Sequence, residues 1–263
     1  MQYLAKILSL VFLALSSIVL IGLQAYFIGW IFLLLGALIL IFADKSFKKD
    51  ILLIYFSIGL LGISPISTDI SYQHGAIMGT FLALTILIPY LVSKYVNKNN
   101  HVQFRFHHGR NWYTSEILYI VLTACITYLF FPIMLYQTGS YLNWNVEGGI
   151  SNMIRLFIGT NALGIWDELF FISTVLGLLR RHLSFKMANL LQSILFTSFL
   201  YELGFRGWGF LIIFLFALLQ GYIFKKTDSL FYVITIHLVA DLILFLALIY
   251  LHHPTWMPIF ITK

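Results

Sequence analysis

The sequence predicts an all-α fold, a polytopic transmembrane helical bundle of about eight or nine spans. Three observations predict it. Hydrophobic residues make up 60% of the 263 and charged residues only 10%, and the mean hydropathy is +0.92. A soluble domain with that balance would lack the polar surface to cover itself. The apolar runs are long and continuous, whereas a membrane β-barrel needs short alternating segments. The lysines and arginines collect in alternate loops, as expected of a chain that crosses a bilayer repeatedly.

The spans fall at roughly 4–23, 26–43, 51–66, 76–93, 115–135, 153–179, 187–203, 209–224 and 229–251. Each is near the length that a hydrocarbon core of about 30 Å requires. Those at 51–66 and 209–224 are short enough to be tilted, partial or re-entrant. The first apolar run, with Lys6 ahead of it, is too long for a signal-peptide core and is followed at once by a second run, so it reads as a first span. Residues 1–150 form an amino-terminal set of about five spans with a basic loop at 94–114. Residues 151–251 form a second helical unit, and 252–263 a tail. Cys125 is the single cysteine, which excludes an intrachain disulfide.

Orientation follows from the cations. With the amino terminus inside, the inner side holds Lys6, Lys45, Lys48, Lys49, Lys94, Lys98, Arg105, Arg110, Arg180, Arg181, Lys186, Lys225 and Lys226. The outer side holds only Arg155, Arg206 and Lys263, a split of 13 against 3. The expectation is a multi-pass protein of the cell membrane with a cytoplasmic amino terminus. A net charge of +6 is explained by anionic lipid at the inner surface and calls for no nucleic acid. His101, His107 and His108 in the 94–114 loop read as interfacial residues, with metal binding the weaker alternative.

Any chemistry must come from polar groups inside the spans. Trp166-Asp167-Glu168 places two adjacent carboxylates in the middle of an apolar helix. One charge near the bilayer centre costs on the order of 3 kcal/mol, so such groups are usually paired or used. His237 and Asp241 are four residues apart and share a helix face. A carboxylate there can fix the imidazole tautomer for a general base or a metal ligand. The same pair could equally be a self-satisfied contact between helices. At 1.5 Å per residue, Glu168 lies roughly 18 Å and His237 roughly 15 Å from the inner ends of their spans. The two sites are thus level. Thr197 and Tyr201 on the intervening span reach a similar depth, which makes a three-helix polar cluster the expectation.

Over about residues 155–246 the chain resembles the CPBP (Abi) intramembrane proteases, which include CAAX prenyl endopeptidases and bacteriocin-processing enzymes. The family pattern is Glu-Glu-x-x-x-Arg, then Phe-x-x-x-His, then His-x-x-x-Asn or Asp. Asp167-Glu168-Leu169-Phe170-Phe171-Ile172 aligns with the first, ahead of Gly177-Leu178-Leu179-Arg180-Arg181. Leu191-Gln192-Ser193-Ile194-Leu195-Phe196 resembles the approach to the second, and His237-Leu238-Val239-Ala240-Asp241, preceded by Asp228-Ser229-Leu230, the third. Three positions depart. Asp167 is a methylene shorter than glutamate, Ile172 stands for the arginine and Leu200 for the histidine.

The resemblance implies peptide-bond hydrolysis in a membrane-associated substrate, prenylated or bacteriocin-like, at a site enclosed by helices. Asp167 would activate water, Glu168 would support it, and His237 with Asp241 would complete the site. A divalent metal such as zinc is the cofactor the family admits, with Glu202 as a stand-in for the missing ligand. Two other classes remain open. One is an inactive relative that binds a peptide or partner in the membrane; the other is a transporter that uses the same buried charges. Cleavage lost in site variants marks the enzyme, peptide capture without cleavage marks the scaffold, and ion or pH-gradient flux marks the transporter.

Overall fold

A computed structural model describes residues 1–106 and 111–261. His107, His108, Arg110 and Lys263 therefore lie outside the described residues. Among those described, the secondary structure is helical: α1 Gln2–Gly22, α2 Tyr26–Phe42, α3 Lys45–Ile63, α4 Tyr72–Val96, α5 Thr114–Thr138, α6 Ile150–Leu179, α7 Phe185–Glu202, α8 Gly209–Thr227 and α9 Leu230–His252. Every predicted span is a helix.

The span count is lower than expected. Six helices, α1, α4, α5, α6, α8 and α9, are long and apolar enough to cross a membrane. The other three fall short for different reasons. α2 has too few residues, α3 opens on Lys45, Lys48, Lys49 and Asp50, and α7 carries Asn189, Gln192, Ser193, Thr197 and Ser198. The polar groups of α7 are spent on packing. Gln192 Nε2 donates to Ala217 O at 3.0 Å and Asn189 Nδ2 to Leu218 O at 2.9 Å, pinning α7 to α8. The α8 helix extends to Thr227 and is long and apolar enough to cross a membrane.

The bundle is organised around α6, 72% of whose apolar window is buried against 17% for α5. α9 packs along both α5 and α6, while α7 packs on α8 and the end of α1. One turn fixes the rotation of α6. Trp166 Nε1 donates to Leu82 O at 2.8 Å, and the ring stacks on Phe170 with centroids 5.1 Å apart. Anchoring Trp166 to α4 turns the next side chain, Asp167, toward α9. Directly after it the helix widens to a π-helical stretch, Glu168–Val175. Such stretches recur at functional sites because they rotate successive side chains out of the regular 3.6-residue register.

At the end of the bundle that carries most cations, residues 97–106 form a non-helical strap. Ser173 Oγ donates to Gln103 O at 2.8 Å, and Leu230 N to Arg105 O at 2.7 Å. Phe104 packs on the cluster of Ile172, Phe224, Leu230, Val233 and Ile234. Two charged contacts hold the strap. Arg105 Nη1 donates to Asp228 Oδ2 at 2.8 Å. His101 Nδ1 lies 2.8 Å from Asp50 Oδ1, while His182 Nε2 lies 2.8 Å and Arg181 Nε 3.2 Å from Asp50 Oδ2. His101 thus pairs with a buried carboxylate.

Burial pushes the Asp50 carboxyl up, but hydrogen bonds from His182 and His101 outweigh it and hold it below the usual carboxylate range. A carboxyl depressed in the fold contributes stability above its unfolded value of about 4 and loses it as pH falls through the folded value. Asp50→Asn is therefore expected to destabilise the chain at neutral pH by about 2–3 kcal/mol. It should also remove part of the acid-induced fall in melting temperature below about pH 4, read by thermal unfolding in detergent. An acid response equal to wild type in the variant would refute this role for Asp50.

Candidate active site

Asp167, Glu168, His237 and Asp241 come together in the middle of the bundle. His237 Nδ1 lies 2.8 Å from Glu168 Oε1. Its Nε2 lies 3.8 Å from both Asp167 Oδ2 and Asp241 Oδ1. The two carboxylates of α6 are 1% and 0% exposed, His237 is 5% and Asp241 is 8%. The similar depths expected from residue counting are a direct contact in the fold.

Two residues without an expected place in the site make this contact work. Gln220 of α8, fully buried, donates Nε2 to Glu168 Oε1 at 2.7 Å and to Val233 O at 3.0 Å. With Ile172 sealed in an apolar cluster, the Gln220 amide and the imidazole serve the carboxylate that an arginine would otherwise hold. Gly164 lies one turn before Glu168, where a Cβ would overlap Asp241 Oδ2 and come within 3.0 Å of His237 Cδ2. Its lack of a side chain lets α9 approach α6 closely enough for the acids to meet the histidine. Gln220 had a signal in the sequence, a lone amide within an apolar span. Gly164 had none beyond being a glycine in a helix.

Because Glu168 Oε1 accepts from both Gln220 and the ring, it fixes the Nδ1–H of His237 and leaves Nε2 toward Asp167 and Asp241. Phe216 meets the ring edge-on at 5.1 Å, and Phe196 lies 6.0 Å away, so the imidazole has little freedom to turn. Asp167 Oδ1, Glu168 Oε2 and Asp241 Oδ2 are buried with no hydrogen-bond partner. Buried carboxylate oxygens left so are costly unless something polar enters.

The space for it is present. A cavity of about 330 Å³ is lined by Asp167, His237 and Asp241 together with Thr160, Gly164 and Leu200. Its remaining walls are mostly apolar residues of α5, α8 and α9, with Thr123 and Thr127 of α5, Leu163 of α6, and Trp144, Leu203 and Phe205 from the connecting segments. Ile126, Phe130, Leu215 and Leu219 line it and are also exposed on the outer flank of the bundle. The mouth therefore lies between α5 and α8. The strap and its aromatic cluster lie over the basic end of the bundle.

Other expected participants stand elsewhere. Leu200 reaches the cavity wall, so the second motif keeps its place and lacks its imidazole. Thr197 and Tyr201 line a separate cavity with Gly22 and Phe210, on the other face of α7. That removes the three-helix cluster, because the polar stripe of α7 faces α1 and α8. Glu202 lies 3.6 Å from Arg206 and does not line the cavity. Among the described residues no group of three or more His, Cys, Asp and Glu is placed to hold an ion.

These features define a helical membrane protein with a buried acid–histidine site beside an apolar cavity. Residues 149–243 match the family model described as Rce1-like, Type II CAAX prenyl endopeptidase Rce1-like, which bears out the CPBP resemblance over that segment. The matched stretch contains every residue of the site. No curated protein and no solved structure matches the chain.

Proposed function

We propose that the protein is an intramembrane endopeptidase that hydrolyses a peptide bond of a membrane-associated substrate at Asp167, Glu168, His237 and Asp241. The observation that carries this reading is His237 clamped through Nδ1 by Glu168, with Nε2 turned to two carboxylates at the wall of an apolar cavity. A base, an orienting acid and a group able to donate to an oxyanion are thereby within reach of one another, as hydrolysis requires.

Asp167 takes a proton from a water beside it as the water oxygen attacks the scissile carbonyl carbon. The protonated His237 donates from Nε2 to the oxygen on which negative charge develops, and Asp241 steadies that ring nitrogen. Collapse breaks the carbon–nitrogen bond, and Asp167 returns its proton to the departing amine. The apolar walls and the mouth between α5 and α8 suit a substrate with a lipid-like segment, prenylated or otherwise apolar, arriving within the bilayer. The cation distribution favours an inner, cytoplasmic position for the amino terminus in the cell membrane.

Reconstituted protein with a library of membrane peptides tests this. Asp167→Asn is expected to lower cleavage by roughly 10²–10⁴-fold and His237→Ala by roughly 10²–10³-fold. A second reading, a binding protein without hydrolysis, draws on Leu200 at the histidine position. Peptide captured intact by wild type and by both variants would establish that reading and sink the first.

A further inference from the structure

On the other side of α6 from the acid pair, α4 and α6 leave a second space of about 620 Å³. Its floor is made of small residues: Gly75, Ala76, Gly79 and Ala83 of α4 and Gly159 and Ala162 of α6. A Cβ added at Gly75, Gly79 or Gly159 would meet nothing within 4 Å, so these three positions face open space. Its upper end is polar, bounded by Arg155, Tyr72, His74 and the loop from Ser67 to Ser71.

Two donors point to what fills it. Arg155 gives Nη2 to Asn152 and lays its guanidinium 4.7 Å over the Tyr72 ring, yet its Nε is buried without a partner. Trp144 is 4% exposed and lines the same space, and its indole N–H is also buried without a partner. Among the described residues these are the two buried side-chain N–H groups that lack an acceptor. Native interiors rarely leave such donors unsatisfied. Asp69 at the rim is exposed and already accepts from Ser71 N at 2.8 Å and Ser71 Oγ at 3.1 Å.

An apolar trough that ends in an arginine and an indole matches an amphiphile with an acyl chain and an oxygen-rich head. Arginine binds phosphate well through its planar set of donors, and an indole at the membrane interface is suited to a lipid head region. We propose that this groove is a binding site for one phospholipid, its chain lying between α4 and α6 and its head supplying the acceptors that Arg155 and Trp144 lack. Trp144 and Leu163 wall both this groove and the acid–histidine cavity, but Asp167, His237 and Asp241 line only the latter, so the proposal holds whether or not the chain hydrolyses peptides.

Native mass spectrometry of the full chain released from detergent tests it, with palmitoyl-oleoyl phosphatidylcholine and the phosphate-free palmitoyl-oleoyl glycerol as probes. Wild type is expected to retain one phosphatidylcholine under conditions that strip the glyceride. Arg155→Gln removes the head contact, and Gly159→Leu puts a branched side chain into the trough from a position where the Cβ itself meets nothing within 4 Å. Each should lower retention by about tenfold, while Arg180→Gln at the opposite end leaves it unchanged. Melting curves establish that the variants fold. Equal retention of both probes, or retention undiminished in both folded variants, would show ordinary boundary lipid and overturn the proposal.

Discussion

Gly164→Ala is expected to abolish most peptide cleavage, a loss of about 100-fold or more, although the residue bears no chemical group. The added methyl would overlap Asp241 Oδ2 and press on His237 Cδ2, so α9 must move away from α6 or the two side chains must turn. Displacements near 1 Å are enough to cost about 100-fold in rate. The overpacking should also destabilise the chain by about 1–3 kcal/mol. Gly177→Ala is the control on the same helix, because its Cβ meets nothing within 4 Å. It should leave cleavage intact and, through helix propensity, gain up to about 1 kcal/mol. Product formation and melting temperature measured side by side separate the two variants. Equal activity in both would mean that the close approach at Gly164 is irrelevant to the site.

Gln220→Leu is the second large effect. It removes the 2.7 Å hydrogen bond to Glu168 Oε1 and leaves the imidazole as the carboxylate's remaining partner in that contact. Losing a hydrogen bond to a charged group costs about 1.5–3 kcal/mol. If the loss falls on the reacting arrangement, kcat drops by roughly 10–100-fold with little change in KM. Gln220→Glu should do no better, since it sets a second carboxylate against Glu168. Gln220 acts through Glu168 and His237 and is a positioning residue. A variant that raised KM while sparing kcat would instead place Gln220 in substrate binding.

Much of the architecture was legible in the chain. Long apolar runs separated by cationic loops can satisfy their backbone groups in a bilayer only as helices, and each run is a helix. Counting spans went less well because α3 and α7 spend their length on Asp50, Asn189 and Gln192. Asn189 and Gln192 bond to α8, and Asp50 to the strap and the turn after α6, rather than to water, and hydropathy cannot see a partner. Asp167, Glu168, His237 and Asp241 were conspicuous for the converse reason. Charge inside an apolar run is expensive, so each drew notice alone. Thr197 and Tyr201 had the right depth and the wrong face, because depth along a helix is one coordinate and rotation another.

The Trp166-Asp167-Glu168 triplet shows where the boundary lies. By itself the sequence determined a helical membrane protein, the identity of its buried acids and the order of the motifs that carry them. Tertiary structure alone decided that Trp166 anchors to α4 and turns Asp167 toward α9, and that the π-helical stretch begins at Glu168. It also decided that Gln220 takes up Glu168 in place of a cation at residue 172, and that the cavity opens between α5 and α8. The physical reason is that a side chain's role in a bundle depends on helix rotation and on what the neighbouring helix presents. Rotation is set by contacts between residues far apart in the chain, such as Trp166 on Leu82 and Gly164 beneath Asp241.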